Sequence, residues 1–256
     1  MKIKIYDSRE ECLVAGAWAF MRYALNHENP VIGVCTGTTT EPIHRIVAEM
    51  YKKNPFDASG LHTFNADEYC SPKDAGVVCS MRPRMEGDLW GPLSMDDAHC
   101  HLPNPLAEDW DAECEKYEAE IRAVGGIGLQ MLGVGPDAHL GFCLPGTSFG
   151  TTTHVTALSE TVTGNMCRRF DLDAAKYGPF NGITMGLKTF MQGKITLPIT
   201  VGTSKAEAVA NAILGPVTEA VPASILQLHP NCTWLMDKEA AEGIIGRIDE
   251  NGVRIK

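Results

Sequence analysis

"IGLQMLGVGPDAHLGFCLPG", residues 127–146, decides how the rest of the chain reads. Its first part, "IGLQMLGVG" (127–135), is a short apolar run bounded by glycines, the pattern of a buried strand. Its second part is a glycine-rich turn that leads into an Asp and a His two positions apart, Asp137 and His139. A buried strand that empties into a polar turn puts that turn at the carboxyl edge of a sheet, where α/β folds hold their ligands. There Asp137 can accept a hydrogen bond from one ring N–H of His139, fix its tautomer and leave the other nitrogen for proton transfer. The bland alternative is a His capping a turn. The stretch alone allows both.

The same strand-then-polar-turn grammar recurs along the chain. "KIKIY" (2–6) reads as a strand, with Asp7 and Ser8 as cap candidates for a helix over 9–26. "VIGVCT" (31–36) reads as a buried strand, "GTTTEP" as a turn, and 41–53 as a helix with Ile43, Ile46, Val47 and Met50 on one face. "LHTFNADEY" (61–69) reads as a strand with a polar end, 112–124 as a helix, and "ITLPITVG" (195–202) as a strand before a helix at 204–214. "TWLMD" (233–237) is a last strand before a helix at 238–245. Strand–helix alternation predicts an α/β fold of three layers: a doubly wound, mainly parallel sheet with helices on both faces. The chain reads as one domain over 1–256, with the Pro-, Gly-, Asp- and Met-rich stretch 71–110 as a lid or insertion.

Composition narrows the function. The chain has 256 residues, 44% of them hydrophobic, which is ample for a continuous core. A net charge of −10 argues against nucleic acid as a partner. An anionic substrate would need local donors. Nine cysteines, odd in number and never spaced as CxxC, read as reduced thiols of a cytoplasmic protein. No segment has the length and apolarity of a membrane span, so no membrane partner is expected.

Besides the 133–139 turn, three clusters carry candidate chemistry, each at or after a predicted strand. In "TGTTTEP" (36–42) small residues, helix-start N–H groups and Thr hydroxyls suit a phosphate, yet a simple turn fits as well, and Glu41 suits the helix dipole without any ligand. The stretch is neither a Walker A loop nor GxGxxG. Lys205 in "TSKAEA" (203–208) is either a point charge for the same phosphate or a solvated helix residue, and Arg168 and Arg169 in "MCRRF" are equally ambiguous. In "FNADEY" (64–69), Asp67 and Glu68 point to opposite sides of an extended chain, so one can enter a cleft while the other pairs elsewhere. A carboxylate so placed can abstract a proton alpha to a carbonyl, yet a solvated strand end fits as well. "HCH" (99–101) sets His99 and His101 on one strand face, but no third ligand lies near in sequence and the pair reads as chance.

Together "VIGVCTGTTTEP", "FNADEY", "MLGVGPDAHLGF", "ITMGLKTFM" and "VPASILQLHP", in that order, resemble the glucosamine-6-phosphate deaminase (isomerase) family, related in fold to 6-phosphogluconolactonases. The resemblance implies a phosphorylated sugar substrate, bound through its phosphate by Gly37, Thr38, Thr39, Arg169, Ser204 and Lys205. It implies that Asp67 moves a proton between C2 and C1, that Asp137 and His139 open the sugar ring, and that no metal or organic cofactor takes part. It leaves room for a homo-oligomer. The family usually reads G-H-x-x-x-N-E-P at the ring-opening loop; this chain reads "AHLGFCLP", with Cys143 for the Asn and Leu144 for the Glu that assists the His. Two rivals are a 6-phosphogluconolactonase-like hydrolase, whose His activates water, and a sugar-phosphate sensor that binds without turnover.

Overall fold

The computed structural model describes residues 1–249. Among these residues ten strands form two sheets. The larger has seven: β1 (Lys2–Tyr6), β2 (Val31–Val34), β3 (His62–Asn65), β5 (Cys100–His101), β6 (Leu129–Gly133), β9 (Ile195–Thr200) and β10 (Thr233–Asp237). Their spatial order is β1-β10-β9-β6-β2-β3-β5, and every neighbouring pair is parallel. The chain runs from β2 outward through β3 to one edge, and from β6 outward through β9 and β10 towards the other. The winding therefore reverses between β2 and β6.

Side-chain alternation along these strands feeds two separate cores. On β10, Trp234 and Met236 enter one core and Leu235 the other. On β6, Leu132 faces the first core, while Leu129 and Met131 face the second. The second core is covered by α1 (Arg9–Asn26) and α2 (Thr40–Lys53), through Ala17, Phe20, Ile43 and Val47. The first is covered by α4 (Trp110–Ala123), α7 (Leu187–Met191) and α8 (Ala206–Leu214), through Tyr117, Phe190 and Val209. This is the three-layer α/β architecture expected. Ser8, one of the two cap candidates, caps α1: its hydroxyl accepts from the Glu11 N–H at 3.2 Å. All nine cysteines are free, and eight are buried. Among the described residues no helix is long and apolar enough to cross a membrane.

The smaller sheet is antiparallel and was not foreseen. It joins β4 (Asp67–Tyr69), β8 (Asn181–Thr184) and β7 (His154–Ala157), with α5 (Glu160–Phe170) and the short α6 (Ala174–Tyr177) beside it. The run 61–69, expected as one strand, is two strands in two sheets. Ala66 is the pivot: its N–H donates to Val34 in the large sheet, and its carbonyl accepts from Met185, just beyond β8. Local pattern cannot show this switch, because both halves look extended and buried.

Residues 238–245, expected as a helix, form a succession of turns. The Ala241 N–H donates to Asp237 and the Ile245 N–H to Ala241, but Gly243 and the positive-φ Gly246 interrupt propagation. Within 71–110, the short α3 (Arg82–Met85) leads into a π-turn, and Leu89, Trp90 and Leu93 are buried in the second core. The Trp90 indole donates to the Thr63 hydroxyl at 2.8 Å. That half of the stretch is built into the core.

Candidate active site

Four adjacent strands, β9, β6, β2 and β3, deliver their carboxyl ends side by side at the point where the winding reverses, the place where open α/β sheets bind ligands. Their loops enclose an inner cavity of about 140 Å³, lined by 35–40 after β2, Asp67 after β3, 133–135 and His139 after β6, and Lys205 after β9. It shares Asp67, His139, Gly141 and Lys205 with an outer cavity of about 480 Å³ walled by Arg84 and by Arg169 of α5. Seven of the nine residues singled out from the sequence thus line one cleft, and Asp137 lies just outside it, bonded to His139. Ser204 is exposed in the turn before α8 and lines neither cavity.

Asp67 is 4% exposed, and its Oδ1 is buried without a protein partner. Burial pushes its carboxyl up to about 7. A carboxylate in that range can both take and return a proton near neutrality. Its neighbour Glu68 points the other way and is fully paired: the Ser80 hydroxyl donates at 2.6 Å, and the Tyr69 and Met81 N–H groups at 2.7 and 2.9 Å. The strand therefore separates two adjacent carboxylates by role, one open to the cleft and one fastening residues 80–81.

The Asp137–His139 contact that the loop's sequence allows is formed. Asp137 Oδ1 lies 2.5 Å from His139 Nδ1 and also accepts the His139 N–H at 3.3 Å. The bond from His139, together with its charge, holds the Asp137 carboxyl below the usual range against the opposing effect of burial. With Nδ1 engaged, Nε2 is left for the cavity. Ala138 between them has φ 64°, a left-handed kink that lets the side chains at 137 and 139 meet. Gly135 has the ring lying over it, and a Cβ there would overlap the imidazole. Gly135→Ala is expected to displace His139 and cut turnover at least tenfold while the fold persists, checked by circular dichroism alongside kinetics.

The candidate anion donors also line the cleft. No side chain caps α2; the Glu41 N–H in its first turn donates to the Gly37 carbonyl at 2.9 Å, and Gly37, Thr38 and Thr39 line the cavity at this helix start. The Thr36 hydroxyl there is buried and unpartnered. Lys205 is pulled below its ordinary range by burial, with Asp137 opposing. Arg169 is lowered by burial first and by the neighbouring Arg84 second.

Thr36, Glu41 and Arg84 were missed as site residues. Thr36 had a signal in its small-residue turn. Arg84 had none, because the irregular stretch that carries it reaches the cleft only through the tertiary fold. His99 and His101 do acquire a third imidazole, since His62 Nδ1 lies 3.1 Å from His101 Nε2. Even so, among the described residues no group of three or more His, Cys, Asp or Glu is arranged to hold a metal.

A parallel sheet with a reversal-point cleft, anion donors and a buried carboxylate held near neutrality defines an α/β enzyme that collects a small anionic substrate. The chain belongs to the glucosamine-6-phosphate isomerases/6-phosphogluconolactonase family, whose pattern matches residues 13–234. It is 39% identical over 243 residues to a glucosamine-6-phosphate deaminase of Thermoanaerobacter pseudethanolicus, covering 94% of each chain. To the enzyme of the same name from Clostridium botulinum it is 34% identical, covering 94% of this chain and 98% of that one. Among solved structures it resembles a monomeric glucosamine-6-phosphate deaminase at a TM-score of 0.86 and 31% identity, covering 95% of this chain and all of the other. A 6-phosphogluconolactonase from Thermotoga maritima gives a TM-score of 0.71 at 18% identity, covering 93% of this chain and 99% of the other, a likeness of fold alone.

Proposed function

We propose that this protein converts an amino-sugar 6-phosphate, glucosamine 6-phosphate or a close relative, to a ketose 6-phosphate with release of ammonia. The observation that carries the reading is Asp67: a buried carboxylate with an unpartnered oxygen, held near neutrality, between a cluster of anion donors and a His–Asp pair. The 36–39 turn, Arg169 and Lys205 hold the phosphate, and His139, oriented by Asp137, passes a proton to the ring oxygen as the ring opens. Asp67 then takes the C2 proton and returns it at C1, leaving an imine at C2. Water adds to that carbon, ammonia departs, and the ketone remains. The remote phosphate contacts hold C1 and C2 against Asp67. No step draws on a metal or organic cofactor, and the reaction belongs in the cytoplasm, where these thiols stay reduced.

A lactonase needs a water activated by His139 but no carboxylate poised over C2, so the state of Asp67 favours the deaminase. The test is a panel of hexose and hexosamine 6-phosphates and a 6-phosphogluconolactone, followed for ammonia, ketose and acid. Ammonia and ketose in equal amounts from an amino sugar are expected. Acid from the lactone alone would make the protein a hydrolase, and binding without any product would make it a sensor. Lys205→Ala should weaken phosphosugar binding by about 1.5–3 kcal/mol, the scale of a charge-assisted contact. Unchanged affinity in a calorimetric titration would remove Lys205 from the site.

A further inference from the structure

The anion-collecting cleft contains an anion of its own. Glu41, in the first turn of α2, lines the outer cavity with its side chain only 12% exposed. Its carboxylate is hydrogen-bonded to the Arg84 guanidinium, which lies across the same cavity. It therefore occupies the positive field of a helix N-terminus, two arginines and a lysine that a phosphate would need. The crowding of cations is itself visible, since the charge of Arg84 adds to burial in holding Arg169 below its ordinary range.

Arg84 is also supported from behind. Its helix follows directly on residues 80 and 81, which the Glu68 carboxylate fastens to β4 beside Asp67. The backbone under Arg84 is thus tied to the strand that carries the proposed base, while its long side chain remains 39% exposed and free to change partner.

We infer that Arg84 is a further phosphate ligand and specificity-determining residue, and that Glu41 is its built-in competitor, holding the guanidinium until a substrate phosphate takes it over. The inference rests on the phosphate reading of the cleft. The exchange is between two anions on one fork. A phosphate dianion offers more charge and more acceptor oxygens than a carboxylate and displaces Glu41. An unphosphorylated amino sugar or a carboxylated sugar offers Arg84 nothing better than the partner it already has. Glu41 thereby sets a threshold that only phosphorylated sugars cross.

The experiment is a calorimetric titration of inorganic phosphate and of glucosamine 6-phosphate into the wild type, Glu41→Gln, Arg84→Gln and the double variant. Thermal melts check folding, and Arg84→Lys serves as a second variant at that position. Arg84→Gln should weaken both ligands by about tenfold or more, the scale of a hydrogen bond to a charged group. Glu41→Gln should tighten both by about five- to tenfold, and this gain should largely vanish when Arg84 is already Gln. Equal tightening with and without Arg84 would show Glu41 to be a background charge and overturn the exchange. Unchanged affinity in Arg84→Gln would overturn the ligand role. A wild type that binds neither ligand would sink the phosphate reading itself, whereas normal wild-type binding with unaltered variants sinks only this inference.

Discussion

Asp67→Asn should abolish exchange of the C1 and C2 hydrogens with deuterated solvent and lower turnover by about 10²–10⁴, the usual worth of a positioned base. Asn is nearly the same shape but accepts no proton, so phosphosugar affinity should stay close to wild type, and the loss should fall on kcat. The pH dependence follows from burial. With its carboxyl pushed up to about 7, Asp67 gains its basic form as pH rises through that value. The wild-type rate should therefore climb along an acid limb near pH 7, and the limb should be missing from any residual activity of the variant.

Stability should move the opposite way. The folded protein keeps a proton on Asp67 that the unfolded chain releases near 3.8. Stability is therefore lost as pH rises from about 4 towards 7, and the loss is complete above the folded value. Asn carries no charge to desolvate, so at pH 8 the variant should be more stable than wild type by roughly 1–4 kcal/mol, a gain that shrinks at pH 5. Denaturant unfolding at the two pH values measures it. Wild-type exchange in the variant would remove Asp67 as the base, whatever the stability shows.

Leu144→Glu should raise ammonia release from glucosamine 6-phosphate by about 10², the low end of what an added acid–base group supplies. Leu144 stands where the resemblance places the Glu that assists the His. The structure bonds His139 to Asp137 and leaves Leu144 half-buried, its carbonyl accepting from the Thr147 N–H at 3.0 Å. Cys143 offers no substitute for the usual Asn, because its thiol is buried and donates to the Met185 carbonyl at 3.3 Å. Ring opening should then be the slow step in the wild type, while proton transfer at Asp67 stays competent and the phosphate donors still bind the sugar. A charge in a half-buried niche costs stability, so melting must be followed with activity. Wild-type turnover at about 10 s⁻¹ or more would show that Leu144 is no handicap. A folded variant that gains nothing, beside rapid turnover of a different sugar phosphate, would make Leu144 a mark of changed specificity.

How much of this was legible beforehand differs from one element to the next. The strands ending at Val34, Gly133 and Thr200 announced themselves by apolar runs, and the polar turns after them by composition, so most of the cleft could be named. That Asp67 and Glu68 point to opposite sides followed from strand geometry, while the choice of Asp67 for the cleft came from the resemblance. The break at Ala66 did not, because a strand's partner is invisible in its own pattern. Nor did the small antiparallel sheet of β4, β8 and β7, whose strands lie more than a hundred residues apart at the extremes.

Sequence by itself determined the three-layer α/β class, the order of the turns that form the cleft, and the residue types available for proton transfer and phosphate binding. These depend on local periodicity and side-chain chemistry, which neighbouring residues settle among themselves. Tertiary structure alone decided that burial pushes both carboxyls up, Asp67 to about 7 and Glu68 to about 8, and that only Asp67 keeps an oxygen without a partner, because desolvation is set by everything packed around a group. It alone decided that Glu41 meets Arg84 across the cleft. A contact between residues forty-three positions apart exists only once both strands and their loops are in place.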